Sequence, residues 1–180
     1  MKITISGWAG TGKSTTATML AQKLGHTHFS GGGIFRTYAE EKNLSLGELE
    51  RQAEQDPEFD LKLDAFQKTL ADTHDNFVLE SRLGWHFVPR SIKVLLTCED
   101  SERVRRIAER EGDPVEDVEE RTKDRERSIT KRYRDLYRIE NFMDAKNFDL
   151  VVDTTNNTPE EVTNEIIDYI QTHETDTGCC

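Results

Sequence analysis

Apolar positions along the chain fall into short clustered runs separated by longer stretches of helical spacing. Lys2 to Ser6 is short and strand-like, and after a glycine-rich turn Ala17, Leu20, Ala21 and Leu24 recur at helical spacing within Ser14 to Leu24. The opening therefore reads strand, loop, helix. His28 to Ser30 predicts a second short strand running into Gly31-Gly32-Gly33, after which Ile34, Phe35, Tyr38 and Ala39 resume a helical pattern. Ser45 with Glu48 makes a capping box, and Asp56 before Pro57 makes a cap with proline at the first helical position, so helices are predicted to start near 46 and 57. Phe77 to Leu79, Ile92 to Leu96 and Leu150 to Val152 are apolar runs of the kind that form buried strands. Ser101, Asp113-Pro114 and Thr158-Pro159 announce further helices, the last with Glu161 completing a second capping box. Strands alternating with helices imply right-handed crossovers, a parallel sheet covered on both faces, and ligands at the carboxyl ends of its strands.

Composition narrows the class. The chain has 180 residues, which at roughly 150 residues per domain predicts one compact domain over 1–173 followed by a polar tail over 174–180. Hydrophobic residues are 34% and charged residues 33%, with no long polar tract, so a heavily solvated globule is expected. A net charge of −11 argues against a polyanion such as duplex DNA as the main partner. No apolar run approaches the roughly 18 residues of a membrane span, and the N-terminus enters a strand without a secretory apolar segment. A cytoplasmic protein with no membrane partner is the expectation. Cys98 stands alone and Cys179-Cys180 lies on the tail, which is neither a disulfide framework nor a metal-ligand spacing.

Gly7-Trp8-Ala9-Gly10-Thr11-Gly12-Lys13-Ser14 fits G-x-x-x-x-G-K-[ST] between the first predicted strand and the first predicted helix. The glycines let backbone N–H groups converge on phosphate oxygens, and the helix that follows, with Thr15 in its first turn, aims its positive end at the same anion. Lys13 is expected to reach the β/γ-phosphates of ATP, and Ser14 to give its hydroxyl to Mg²⁺. The loop alone leaves the acceptor open. A switch GTPase would need N-K-x-D and D-x-x-G, and neither string occurs.

Ser30-Gly31-Gly32-Gly33-Ile34-Phe35-Arg36 places a glycine turn at a strand end and an arginine one turn into the next helix, where its fork suits a second phosphate. The next buried strand ends in Glu80-Ser81-Arg82, which puts a carboxylate and another guanidinium at the carboxyl edge of the sheet. Glu80 suits the water shell of Mg²⁺, and Arg82 suits the acceptor phosphate. Each also has a plain reading as a solvated arginine or a surface ion pair. Asp60, Asp64 and Gln67 share one helical side and offer polar edges to a base, with surface solvation their expected role.

Between 121 and 138, eight basic residues face three acids, a local +5 that leaves −16 for the remainder. At about 100° per residue, Arg121, Arg125 and Arg132 fall on one side of a continuous helix, while Arg127, Arg134 and Arg138 lie elsewhere and are expected to be solvated. Such a strip can stabilise a phosphoryl group in transfer. Its rival use, on a nucleic-acid backbone, is opposed by the surrounding charge. Tyr133 and Tyr137 are expected to pack on the core rather than stack bases. Trp8 and Trp85 fit a nucleobase or the core equally well.

F-S-G-G-G-I-F-R at 29–36 resembles the S-x-G-x-[IML]-[FL]-R acceptor motif of the nucleoside monophosphate kinases. E-S-R-L-G-W at 80–85 is similar to the E-G-R-L-[AG]-x-W of the second, shorter type of cytidylate kinase. The likeness runs on through D-P-E-F-D-L-K-L-D at 56–64 and D-L-V-V-D-T-T-N-N-T-P-E-E-V at 149–162, covering nearly the whole chain. Gly33 stands where the family has Asp or Glu, and Ser81 where it has Gly. The resemblance implies an α/β P-loop NTPase three-layer fold around a five-stranded parallel sheet, with a helical acceptor-binding insertion over about 34–72 and an arginine-rich lid over about 111–138. It implies Mg²⁺-dependent transfer of the ATP γ-phosphoryl group to a nucleoside monophosphate, CMP or dCMP foremost, by a monomer. By the same resemblance Ser30 belongs to the acceptor site, Arg106 lies against the donor base, and Arg110, Arg121, Arg125 and Arg132 contact the phosphates. Three rivals are a kinase of another small metabolite or nucleotide, a nucleotide-binding regulator without transfer activity, and a nucleic-acid-binding ATPase.

Overall fold

The computed structural model describes residues 1–44, 48–49, 52 and 58–174. Its centre is a five-stranded parallel sheet of β1 (Lys2–Ser6), β2 (Thr27–Ser30), β3 (Phe77–Glu80), β4 (Ile92–Thr97) and β5 (Leu150–Asp153). The spatial order is β2-β3-β1-β4-β5. Between and after the strands come α1 (Lys13–Leu24), α2 (Gly31–Glu41), α3 (Glu58–Thr73), α4 (Gly84–Phe87), α5 (Asp100–Glu111), α6 (Val115–Tyr137) and α7 (Pro159–Glu174). The alternation read from the sequence is borne out, as is the fold class.

Alternate strand residues separate into two cores, which is how a sheet covered on both faces must read. Ile3, Ile5, Val78, Val94, Leu96 and Val152 pack with Leu20 of α1 and Ile166 of α7. Phe77 and Leu79 point the other way, onto Leu70 of α3 and Val88. Thr4, between the two isoleucines, meets Ser91 at 2.9 Å and stands against Gly84 of α4. Each fully buried Ile or Leu contributes about 1.5–3 kcal/mol relative to exposure.

Parallel register brings the strand ends of the site side by side. Ile5 and Ser30 both pair with Glu80. The Ser81 N–H donates to the Ile5 carbonyl at 3.0 Å and Ser6 Oγ donates to the Ser81 carbonyl at 2.8 Å, closing the edge between β1 and β3. Ser81 makes this turn without positive φ, and the Cβ that Gly31 lacks would lie 3.4 Å from the Ser81 side chain. Ser81 thus fills the family's glycine position because the turn needs no positive φ there.

Helix boundaries differ from the sequence signals at several places. Ser45 of the Ser45–Glu48 box and the Asp56-Pro57 cap lie outside the described residues. Ser101 falls inside α5, which starts at Asp100 without a side-chain cap, and α6 follows Pro114 with no cap from a side chain. The Thr158–Glu161 box forms as read, with Glu161 Oε2 accepting from the Thr158 N–H at 2.8 Å. The four-residue α4 and a 3₁₀ turn at Ala145–Asn147 were not anticipated, being too short to carry a period.

Candidate active site

A cavity of about 710 Å³ opens at the carboxyl ends of β1 and β3. Its floor is the start of α1. Gly12, with φ +83, turns the chain into that helix, which has no side-chain cap, and Gly12, Lys13, Ser14 and Thr15 line the cavity. Uncapped first-turn amides at a helix N-terminus suit an anion. Gly10 permits the loop's closest approach to α5: a Cβ there would lie 2.6 Å from the Arg103 carbonyl oxygen.

Lys13 Nζ donates to the Trp8 carbonyl at 2.6 Å, inside the loop's own curl. Burial pushes the Lys13 ammonium down to about 7, with the Arg82 guanidinium adding to the fall and Glu80 opposing it. A lysine so placed is poised to take up a proton when an anion arrives. Ser14 Oγ donates to Glu80 Oε2 at 2.7 Å, and the other Glu80 oxygen accepts from Ser30 Oγ. Ser30 in turn caps α2 by accepting from the Gly33 N–H at 2.9 Å. One carboxylate therefore ties the phosphate loop to the acceptor motif, and Gly33 serves the cap through its backbone.

Guanidinium groups arrive from four elements. Arg36 of α2, Arg82 after β3, Arg106 and Arg110 of α5, and Arg125 and Arg132 of α6 all line the cavity. Arg106 is fixed by backbone oxygens: its Nη2 donates to the Thr154 and Thr155 carbonyls at 2.7 and 3.1 Å, and Nε pairs with Glu102 at 2.7 Å. Arg132 is buried, with Nε 3.0 Å from Asp60 Oδ2. Arg82 Nε and Arg132 Nη1 have no hydrogen-bond partner among the described residues. Buried guanidinium N–H groups held without acceptors suit a polyanion, since burying them otherwise costs free energy.

Several sequence-named residues stand apart. Arg121 is half exposed, pairs with Glu111 at 2.7 Å and Asp113 at 2.6 Å, and does not line the cavity. It shares Glu111 with Arg110. Gly7, Trp8, Thr11 and Ser30 shape the loop and cap without lining the cavity. Trp8 packs edge-on against Phe142 with ring centroids 4.8 Å apart, and Trp85 Nε1 donates to the Phe142 carbonyl at 3.2 Å, so both indoles belong to the core beneath α6. Tyr133 is buried in that same cluster, and Tyr137 packs on Phe87.

One expectation is corrected. Asp60, Asp64 and Gln67 are not solvated; their exposures are 4%, 7% and 1%. Asp60 lines the cavity, while Asp64 accepts from the Tyr137 hydroxyl and, at 3.5 Å, from Gln67 Nε2. Burial raises both carboxyls, Asp64 to about 6. The signal lay in the spacing: steps of four and three are those of a core-facing stripe, and α3 buries this polar side against α6. Arg103, buried behind the phosphate loop, was missed altogether.

Among the described residues no group of three or more side chains makes a metal cage. Ser14 and Glu80 are nonetheless hard oxygen donors at the phosphate loop, which is the sparse set Mg²⁺ takes when phosphates and water supply the rest.

Residues 2–156 match the cytidylate kinase-like family. The chain is 41% identical to the cytidylate kinase of Methanothermobacter thermautotrophicus over 86% of its own length and 95% of that protein. It is 42% identical to the cytidylate kinase of Halobacterium salinarum over 97% and 91%. Among solved structures, shikimate kinase from Aquifex aeolicus aligns at TM-score 0.62 with 16% identity, covering 97% of this chain and 98% of that one. A gluconokinase from Sinorhizobium meliloti aligns at 0.62 with 14% identity over 97% and 94%. These two share the fold.

Proposed function

The chain belongs to the cytidylate kinase-like family, and we propose that it transfers the γ-phosphoryl group of ATP to CMP or dCMP, giving ADP and CDP or dCDP. The observation that carries this reading is one cavity lined both by the phosphate-loop residues Gly12, Lys13 and Ser14 and by Arg36 and Arg82, which supports a donor side and an acceptor side. A regulator or a nucleic-acid-binding ATPase needs the donor side only. The unit is assigned as one kinase domain over 1–173, with the acceptor insertion over about 34–72 and the lid over about 111–138. It acts as a cytoplasmic monomer without nucleic acid. Among the described residues, no helix is long and apolar enough to cross a membrane.

Catalysis here is positioning and charge stabilisation. The first amides of α1 and Lys13 hold the donor phosphates, Arg106 lies at the donor-base side, and Arg36 and Arg82 hold the acceptor phosphate. Arg110, Arg125 and Arg132 stabilise charge spread over the oxygens of the group in flight while α6 excludes water. Arg121, which the resemblance places in this set, contributes through the Glu111 carboxylate it shares with Arg110. Ser14, and Glu80 through water, would hold Mg²⁺, which would supply charge neutralisation at the donor phosphates. The acceptor is already an anion, so no general base is required.

ADP release measured across CMP, dCMP, UMP and AMP tests the reading. CMP and dCMP should be the fastest; UMP or AMP outrunning them would overturn the substrate assignment. Turnover stimulated by RNA or DNA instead would favour the nucleic-acid-binding ATPase.

A further inference from the structure

Arg103 of α5 takes no part in the steps above, yet it is among the most deeply buried charges of the chain. Its side chain is 4% exposed. Nη1 donates to the Ala9 carbonyl at 3.1 Å and to Glu126 Oε1 at 2.7 Å, while Nε and Nη2 donate to Asp100 Oδ1 at 3.2 and 2.6 Å. One planar fork thereby joins α5, the middle of the phosphate loop and the centre of α6. The side chain of Ala9 packs into the same junction, against Val104, Ile107, Ala108 and Val118.

Peptide planarity gives the Ala9 contact a consequence. The Ala9 carbonyl and the Gly10 N–H belong to one trans peptide unit and point in opposite directions. A guanidinium that grips the carbonyl from behind the loop turns the amide forward, and Gly10 lines the cavity. The Glu126 contact acts on the other wall. Arg125 is the residue before Glu126 on α6, about 100° around the helix from it. Holding Glu126 to α5 sets the rotation at which Arg125 and Arg132 line the cavity.

We propose that Arg103 is a positioning residue for phosphoryl transfer, aiming a phosphate-loop amide with one contact and fixing the rotation of the lid helix with another through Glu126. The proposal rests on the phosphoryl-transfer reading. Lysine cannot replace it, because a point charge does not span acceptors lying in three directions as a planar fork does.

The test uses the full chain with Arg103→Ala, Arg103→Lys, Glu126→Ala and the Arg103→Ala/Glu126→Ala double variant. ATP Kd, kcat and KM for CMP, and melting temperature are measured for each. Both Arg103 variants should weaken ATP binding and lower kcat, each by about tenfold or more, whereas Glu126→Ala should lower kcat by about tenfold with ATP Kd within about threefold of the parent. The double variant should be no worse than Arg103→Ala, since the contacts act as one unit. Parent-like kcat in Glu126→Ala, rescue by lysine, or losses that follow melting temperature alone would overturn the proposal. A parent protein without CMP-dependent turnover would instead overturn the acceptor reading, and ATP Kd would then decide the role of Arg103.

Discussion

Asp60 of α3 and Arg132 of α6 meet 3.0 Å apart inside the cavity, so α3 holds an α6 arginine by a buried ion pair. The pair is not an aligned hydrogen bond, and Asp60 Oδ2 has no other partner among the described residues. Burial raises the Asp60 carboxyl while Arg132 opposes the rise. A substrate phosphate that takes over the arginine leaves the Asp60 carboxylate buried without its cation, which favours its protonated form.

That exchange predicts the behaviour of Asp60→Asn. Breaking a buried ion pair from one side leaves the other charge uncompensated, at a cost of about 3–5 kcal/mol, which an amide oxygen in the same place reduces to about 1–3 kcal/mol. Thermal melting should show the variant destabilised without substrate and largely recovered by saturating CMP. A melting temperature unchanged from the parent, with or without CMP, would contradict the interlock.

The arginines of α5 and α6 should separate by position. Arg132→Ala removes a buried guanidinium from the cavity and should lower kcat by about a hundredfold or more. Arg121→Ala removes a half-exposed one that reaches Glu111 and should cost less than Arg110→Ala, within about tenfold of the parent. Steady-state kinetics of the three variants, at saturating ATP and CMP, gives the order.

Lys13 should couple nucleotide binding to protons. Its ammonium sits at about 7 in the free protein, chiefly through burial. A bound polyphosphate favours the charged form and raises that value, so at pH 8 binding should take up as much as about one proton. Calorimetric titration with ATP in two buffers of different ionisation enthalpy reads the uptake directly. No uptake at pH 8 would mean that Lys13 is already charged.

Asp64 carries a stability signature of opposite sign to that of a surface carboxylate. Burial lifts it from 3.8 to about 6, so between those values the folded protein binds the extra proton and stability falls as pH rises. The cost is in full above that window and absent below it. Asp64→Asn should therefore gain on the parent by about 2 kcal/mol between pH 4 and 7.5, read by denaturant unfolding at each pH. A pH-independent difference would show that Asp64 is ionised without penalty.

The parallel sheet and the phosphate loop were legible because each rests on local pattern: short apolar runs for the strands, and G-x-x-x-x-G-K-S at a strand-to-helix turn. The side-chain partnerships were not, because they join positions far apart in the chain. Asp60 meets Arg132, and Arg103 meets both Ala9 and Glu126, only after α3, α5 and α6 pack. Polarity misled at Asp60, Asp64 and Gln67, where a buried stripe is made of polar residues and Asp60 and Asp64 meet Arg132 and Tyr137 of α6. Trp8 and Trp85, left between base and core by the sequence, were decided by packing around Phe142.

The central claim is that Lys13 and the first amides of α1 grip the donor phosphates. ATP titration and CMP-dependent ADP release on Lys13→Ala test it most directly. Turnover should fall by about a hundredfold or more, with weakened ATP binding and an unchanged fold by circular dichroism. A Lys13→Ala protein that binds ATP and turns it over as the parent does would contradict it.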